Sequence, residues 1–255
     1  MPTSHRFAKP FTAPRINARY WAAILLASVF GTNLGDLYAH SLRLGLLDGL
    51  AVLASLVAVV FVIERFDSKP KERYYWTIII LIRTGATNLA DYLAYRAKIP
   101  DIPLTVGLLA LIALFGWMSR STATPAQAVP RTNLWFWLAM LSAGVFGTVA
   151  GDLCEHGVGE GVAALALSGV LSAVLLGGSK IMGPGLVTYW LTVTLARTTG
   201  TALGDWLAEN HLAPVGLPLA TLLSGVVFVS ILIFWRPRAQ ATTGTGGLSM
   251  SRGAA

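Results

Sequence analysis

Residues 30–40 read FGTNLGDLYAH and set Asp36 and His40 inside an apolar run that begins at Trp21. At 1.5 Å of rise per residue, a run of that length crosses the ~30 Å hydrocarbon core of a bilayer as one helix. A carboxylate in such a segment is costly, so what Asp36 does there decides how the chain is read.

The stretch recurs. With the Asp residues in register, the copies are Gly31-Thr32-Asn33-Leu34-Gly35-Asp36, Ala86-Thr87-Asn88-Leu89-Ala90-Asp91, Gly147-Thr148-Val149-Ala150-Gly151-Asp152 and Gly200-Thr201-Ala202-Leu203-Gly204-Asp205. Their spacings of 55, 61 and 53 residues each accommodate a helical hairpin, so every copy enters the membrane in the same direction. Eight apolar runs fit this plan, at 21–40, 44–63, 74–95, 102–118, 134–154, 161–180, 186–208 and 215–235. Copies one and three share Phe-Gly-Thr and a His four residues after the Asp. Copies two and four share RTGATNLADYLA and RTTGTALGDWLA, an A-B-A-B order. The reading is an all-α polytopic membrane protein of eight transmembrane helices, in two parallel four-helix halves of two hairpin repeats each. Those halves are 21–118 and 134–236, joined by a polar linker over 119–133 and flanked by a basic arm over 1–20 and a disordered Gly/Ser/Thr-rich tail over 237–255.

Composition excludes a soluble globular domain: 55% of the 255 residues are hydrophobic and only 12% are charged. The first run lacks a small-residue cleavage pattern and reads as a retained helix. The net charge of +7 reports topology, because fourteen of the nineteen Lys and Arg fall on the side of the termini and only Arg43, Arg96 and Lys98 fall opposite. By the positive-inside rule both termini are cytoplasmic, and no nucleic-acid partner is required. A single cysteine, Cys154, excludes an intramolecular disulfide framework.

On a helix the small residues five and one before each Asp let another backbone approach closely, so Gly31, Gly35, Gly147, Gly151, Gly200 and Gly204 read as packing positions. The odd-numbered helices are then expected inside and the even-numbered ones outside. Asp36, Asp91, Asp152 and Asp205, with Thr32, Thr87, Thr148 and Thr201 four residues before them, read as an ion- or proton-binding set. The helical rise puts Asp36 ~22 Å from the cytoplasmic end of its helix. Arg83 and Arg197, eight residues before the B-type Asp, are too far to pair with it and read as charge-tuning groups that reach a carbonyl or carboxylate on a neighbouring helix. Asp36, His40, Asp152 and His156 are candidate ligands for a divalent metal if the two A-type helices meet. Glu155, Glu160, Glu209 and His211 read as outer-surface groups, Lys180 as an interfacial anchor, and Trp21, Trp76, Trp117, Trp135 and Trp235 as interfacial belt residues. Back-bonding to the helix is the plain reading of each Thr.

The four Gly-Thr-x-x-Gly-Asp copies resemble a bacterial family of integral membrane proteins built from a four-fold repeat of unknown function with a Gly-Asp core, often labelled uncharacterised membrane-anchored proteins. The resemblance covers about 21–236; copy two departs from it, with Ala86 and Ala90 in place of both glycines. It implies an architecture and no settled activity. From the residues, the expected function is a secondary transporter or exporter of a small cation, for example a divalent transition metal, coupled to protons or potential. The alternatives are a cation channel with a pseudo-four-fold Asp ring, and a membrane haem or redox protein with His40 and His156 as axial ligands, haem ranking behind a metal. No Walker loop, Ser-His pair or His-Glu-x-x-His appears, which reads as no enzyme. The expected partners are the lipid bilayer and a small cation or protons, with a homo-oligomer left open.

Overall fold

Eight α-helices make up most of the residues described by the structure, a computed structural model covering 13–42, 46–67, 71–120, 130, 132–181, 185–209 and 215–235. They are α1 (Ala18–Leu42), α2 (Leu46–Phe66), α3 (Glu72–Asp91), α4 (Asp101–Met118), α5 (Leu134–Val158), α6 (Glu160–Ile181), α7 (Leu186–Glu209) and α8 (Leu217–Phe234). No strand occurs among the described residues. The expectations for Lys180 and His211, and most of those for the arm, linker and tail, lie outside the described side chains.

Six helices, α1, α2, α4, α5, α6 and α8, are long and apolar enough to cross a membrane. The B-type helices α3 and α7 fall short of that composition because each carries an Arg and an Asp among several threonines. Both are well buried along their length, so little of their surface has to be apolar. Asn133 starts α5 by accepting the Phe136 N–H at 3.0 Å, and Gly159 ends it at φ +86°, a left-handed turn that glycine enters freely.

The odd-numbered helices form an inner ring in the order α1, α3, α5, α7 and back to α1, which sets the A-type helices α1 and α5 across from one another. The even-numbered helices sheath it: α2 lies on α3, α4 on α5, α6 on α7 and α8 on α1. Their outward side chains, such as Leu111, Leu165, Leu176 and Leu222, are exposed and apolar.

Glycine sets the spacing of the ring. A methyl group placed on Gly31 would come 2.5 Å from Arg83 Cγ, and one on Gly35 would come 2.8 Å from Thr87 Cβ. The same steps recur between α5 and α7, where Gly147 would meet Arg197 Cβ at 2.7 Å and Gly151 would meet Thr201 Cβ at 2.9 Å. Gly200 has no room for a methyl against Ser28 of α1, and one on Gly204 would meet Asn33 Oδ1 at 3.0 Å. Copy two makes its contact with the roles exchanged: Ala86 packs on Gly144 of α5, whose added methyl would lie 2.7 Å from the Ala86 Cβ. The Ala86 departure of copy two is therefore matched by a glycine on the partner helix.

At the end of the ring where the odd helices begin, an aromatic layer fills the interior. Tyr20, Tyr75, Phe136 and Tyr189 stand sixteen residues before the four Asp, each followed by Trp. The Tyr20 hydroxyl is 2.9 Å from that of Tyr75 and 2.6 Å from that of Tyr189, and Phe136 packs on Tyr75 and Trp190. Trp76 belongs to this layer and is 3% exposed, which corrects its assignment to an interfacial belt. Its ring packs edge-on against Tyr75 and Phe228, so the apolar contact of the interior outweighs the interfacial preference of indole.

Candidate functional site

Sixteen residues beyond the aromatic layer, ~24 Å at the helical rise, the four Asp come together. Asp36, Asp91, Asp152 and Asp205 line one cavity of about 410 Å³, with Thr32, Thr87 and Thr148 toward its base. Glu155, Glu160 and Glu209 line it as well, with Glu209 exposed and Glu155 and Glu160 half-buried at its rim. The turn at Gly159 brings Glu155 and Glu160 to the rim, and Glu209 occupies on α7 the position, four past the Asp, that His40 holds on α1. Seven carboxyl side chains thus face one space, and the nearest buried cation is Arg83 below them.

Arg83 is fully buried and lies on the axis of the ring. One guanidinium nitrogen donates to Thr32 Oγ1 and Thr201 Oγ1, both at 2.6 Å. The other donates to Thr148 Oγ1 at 2.9 Å, Gly144 O at 3.1 Å and Thr87 Oγ1 at 3.2 Å. All four repeat threonines therefore hold one cation. Three of them send their donor hydrogens elsewhere: Thr32 bonds back to Ser28 O at 2.9 Å, Thr201 to Arg197 O at 3.2 Å and Thr87 to Arg83 O at 3.4 Å. Back-bonding, the plain expectation for each Thr, is what leaves the oxygen lone pairs free to receive the guanidinium.

Arg197, at the matching position of copy four, does not reach this ring. It donates to Ser28 Oγ at 3.2 Å and approaches Met140 Sδ at 3.9 Å, fully buried on the side of the tyrosines. Neither arginine makes an ion pair with an Asp among the described residues. From the rim inward the order is carboxylates, Thr-bound Arg83, Arg197 and the aromatic layer.

His40 and His156 sit at the mouth and are exposed. Nδ1 of His40 lies 2.8 Å from Asp36 O and Nδ1 of His156 lies 2.6 Å from Asp152 O. A carbonyl only accepts, so Nδ1 carries the proton in each neutral ring and Nε2 keeps a free lone pair. Asp36, His40, Asp152 and His156 all line the cavity, but on opposite helices of the ring. Among the described residues no three His, Cys, Asp or Glu side chains are close enough together to hold a metal ion. The helices that carry the four candidate ligands stand across the ring from one another, which spreads the quartet over the cavity wall.

The model of a Repeat of Unknown Function (DUF347) matches this chain twice, over residues 19–69 and 188–240. No curated protein and no solved structure matches it. The first match spans α1 and α2 and the second spans α7 and α8 with residues beyond, so each contains one ring helix, its Asp and the following sheath helix. The matched unit is the hairpin inferred from the Asp spacing.

The sequence reading missed the aromatic step and the three glutamates. Extending the Asp register back by sixteen residues shows the first as a four-fold Tyr/Phe-Trp pair. Of the glutamates only Glu209 carries such a signal, standing four past its Asp where His40, Tyr95 and His156 follow theirs, while Glu155 and Glu160 hold no common repeat position.

Proposed function

We propose that this chain is a membrane carrier for a small cation, loaded into the Asp cavity from the side opposite the aromatic layer. The supporting observation is one cavity lined by Asp36, Asp91, Asp152 and Asp205 and closed at its base by Arg83 and the tyrosines. Seven acidic side chains around one space favour a positive cargo, and partial burial strengthens that attraction over its value in water. A closed end is what alternating access requires of a loaded carrier, whereas a channel along the same axis needs Arg83 and the aromatic layer cleared together. Parallel hairpin repeats supply the two sets of helices that could tilt against each other. The bias of basic residues orients the cavity toward the outside of a bacterial inner membrane with both termini cytoplasmic.

A divalent metal is a second reading of the cargo, supported by His40 and His156 lining the same cavity as Asp36 and Asp152, and it requires these groups to draw closer together than they stand here. Proteoliposome flux tests the proposal. Saturable uptake of at least one cation from a panel of monovalent, divalent and organic ions is expected for the wild type, with a loss of tenfold or more in Asp36→Asn. Equal flux in the two proteins for every cation tested would sink it.

A further inference from the structure

Copy two departs from the other three at one further place, and a second pocket lies beside the departure. After Asp91 the helix leaves the α form for a π turn, Tyr92–Arg96, in which the Ala97 N–H donates to Tyr92 O at 2.8 Å. In α1, α5 and α7 the α-helix runs on past the Asp. π turns of this kind re-aim side chains and are frequent at functional sites. Here the turn sets Tyr92 and Tyr95 beside a pocket of about 260 Å³ between α1, α2 and α3. Tyr38, Leu46 and Leu50 give that pocket apolar walls, and Asp91 and Tyr95 line both it and the central cavity. Two compartments thus share one wall: an acidic one holding four Asp, and one lined mainly by aromatic and aliphatic side chains with Arg96 among them. Asn88 adds an acceptor to the second, because its Nδ2 donates to Gly35 O at 3.2 Å and Thr84 O at 2.9 Å and leaves Oδ1 over.

We propose that the cargo is an organic ammonium ion with an apolar arm, its charged head among the Asp residues and its arm passing Asp91 and Tyr95 into the side pocket. The proposal rests on the cation-carrier reading and narrows it. A bare metal ion has no use for an aromatic compartment, whereas an ammonium gains from a carboxylate and from the faces of tyrosine rings at once. The two spaces give ~670 Å³ together, within the range of ~300–1,000 Å³ usual for sites that enclose small organic molecules.

Calorimetric titration of the purified full-length chain with methylammonium, phenethylammonium and Mn²⁺ tests it. Phenethylammonium is expected to bind at least tenfold more tightly than methylammonium. Leu50→Trp, which fills the side pocket, should remove that advantage and leave methylammonium binding unchanged. Tyr92→Ala serves as the second variant if Leu50→Trp binds nothing, and it should shrink the advantage at least threefold. Equal affinity for the two amines, or an advantage that survives both substitutions, overturns the side pocket. Binding of Mn²⁺ with neither amine overturns the organic cargo and leaves the carrier reading standing. Absence of both binding and flux for every cation overturns both.

Discussion

A guanidinium shared by four threonines from four helices makes Arg83 the residue on which the interior depends. Hydrogen bonds to a charged group contribute ~1.5–3 kcal/mol each, so Thr201→Val, nearly isosteric and removing a 2.6 Å bond, should lower stability by about that amount. In an Arg83→Met background the same substitution should cost under ~0.5 kcal/mol, since the charge it served is gone. Thermal unfolding of the four proteins of this cycle in detergent measures the difference. Equal losses in both backgrounds would mean that Thr201 acts only on its own helix. Part of this was legible in the sequence: the Asp-Thr spacing put both on one helix face, and the polar content of α3 and α7 pointed inward. That one arginine takes all four threonines was not. Arg83 and Arg197 hold the same repeat position, and among the differences around them α5 has Gly144 where α1 has Ser28 and Met140 where α1 has Ile24. The glycine exposes a carbonyl that Arg83 uses, while Arg197 meets the serine hydroxyl and stops short.

Between elements, the same pair of positions sets how closely the helices pack. The α7–α1 contact places Gly200 against Ser28, and the α3–α5 contact places Ala86 against Gly144. A small residue is needed on one side of each contact, and the two sides exchange it. Gly144→Ser alone should therefore overpack the α3–α5 seam at a cost of ~1–3 kcal/mol. The pair Ala86→Gly with Gly144→Ser, which copies the α7–α1 contact, should recover most of that loss in the same unfolding assay. Failure of the double variant to recover would show that the glycine serves the Gly144 carbonyl and its bond to Arg83 rather than the seam. The odd-inside, even-outside arrangement could be read from the repeat because small-xxx-small pairs mark faces that approach other helices. The aromatic layer could not be read as a floor with the same ease. Tyr and Trp near a span end fit an interfacial belt equally well, and only the packing of the ring tells which side of the helix they face. Glu155, Glu160 and Glu209 read as groups near helix ends, and that they turn to one shared cavity shows only once the helices are taken together.

For the molecule as a whole, the layered interior predicts access from one side only. Water should reach the Asp residues from the rim, stop at the Thr-bound Arg83 and be absent from the aromatic layer. Thr148→Cys in a Cys154→Ser background puts a thiol at the cavity base, and Val193→Cys puts one in the fully buried core among the aromatic residues. In sealed right-side-out vesicles, a small membrane-impermeant thiosulfonate is expected to modify the first within minutes and the second at least a hundredfold more slowly. In inverted vesicles both should resist. The comparison reads topology and closure separately: reaction of the Thr148→Cys protein from the inverted side alone would reverse the orientation derived from the basic residues. Reaction from both sides would mean that the aromatic layer is no barrier. Adding Tyr20→Ala removes both hydroxyl contacts that join Tyr20 to Tyr75 and Tyr189, and it should open the second side to the reagent without closing the first. A carrier needs that barrier to be held by contacts weak enough to part in its other state, and two neutral hydroxyl bonds over an apolar stack meet the requirement better than an ion pair would, since a buried ion pair once broken leaves two uncompensated charges.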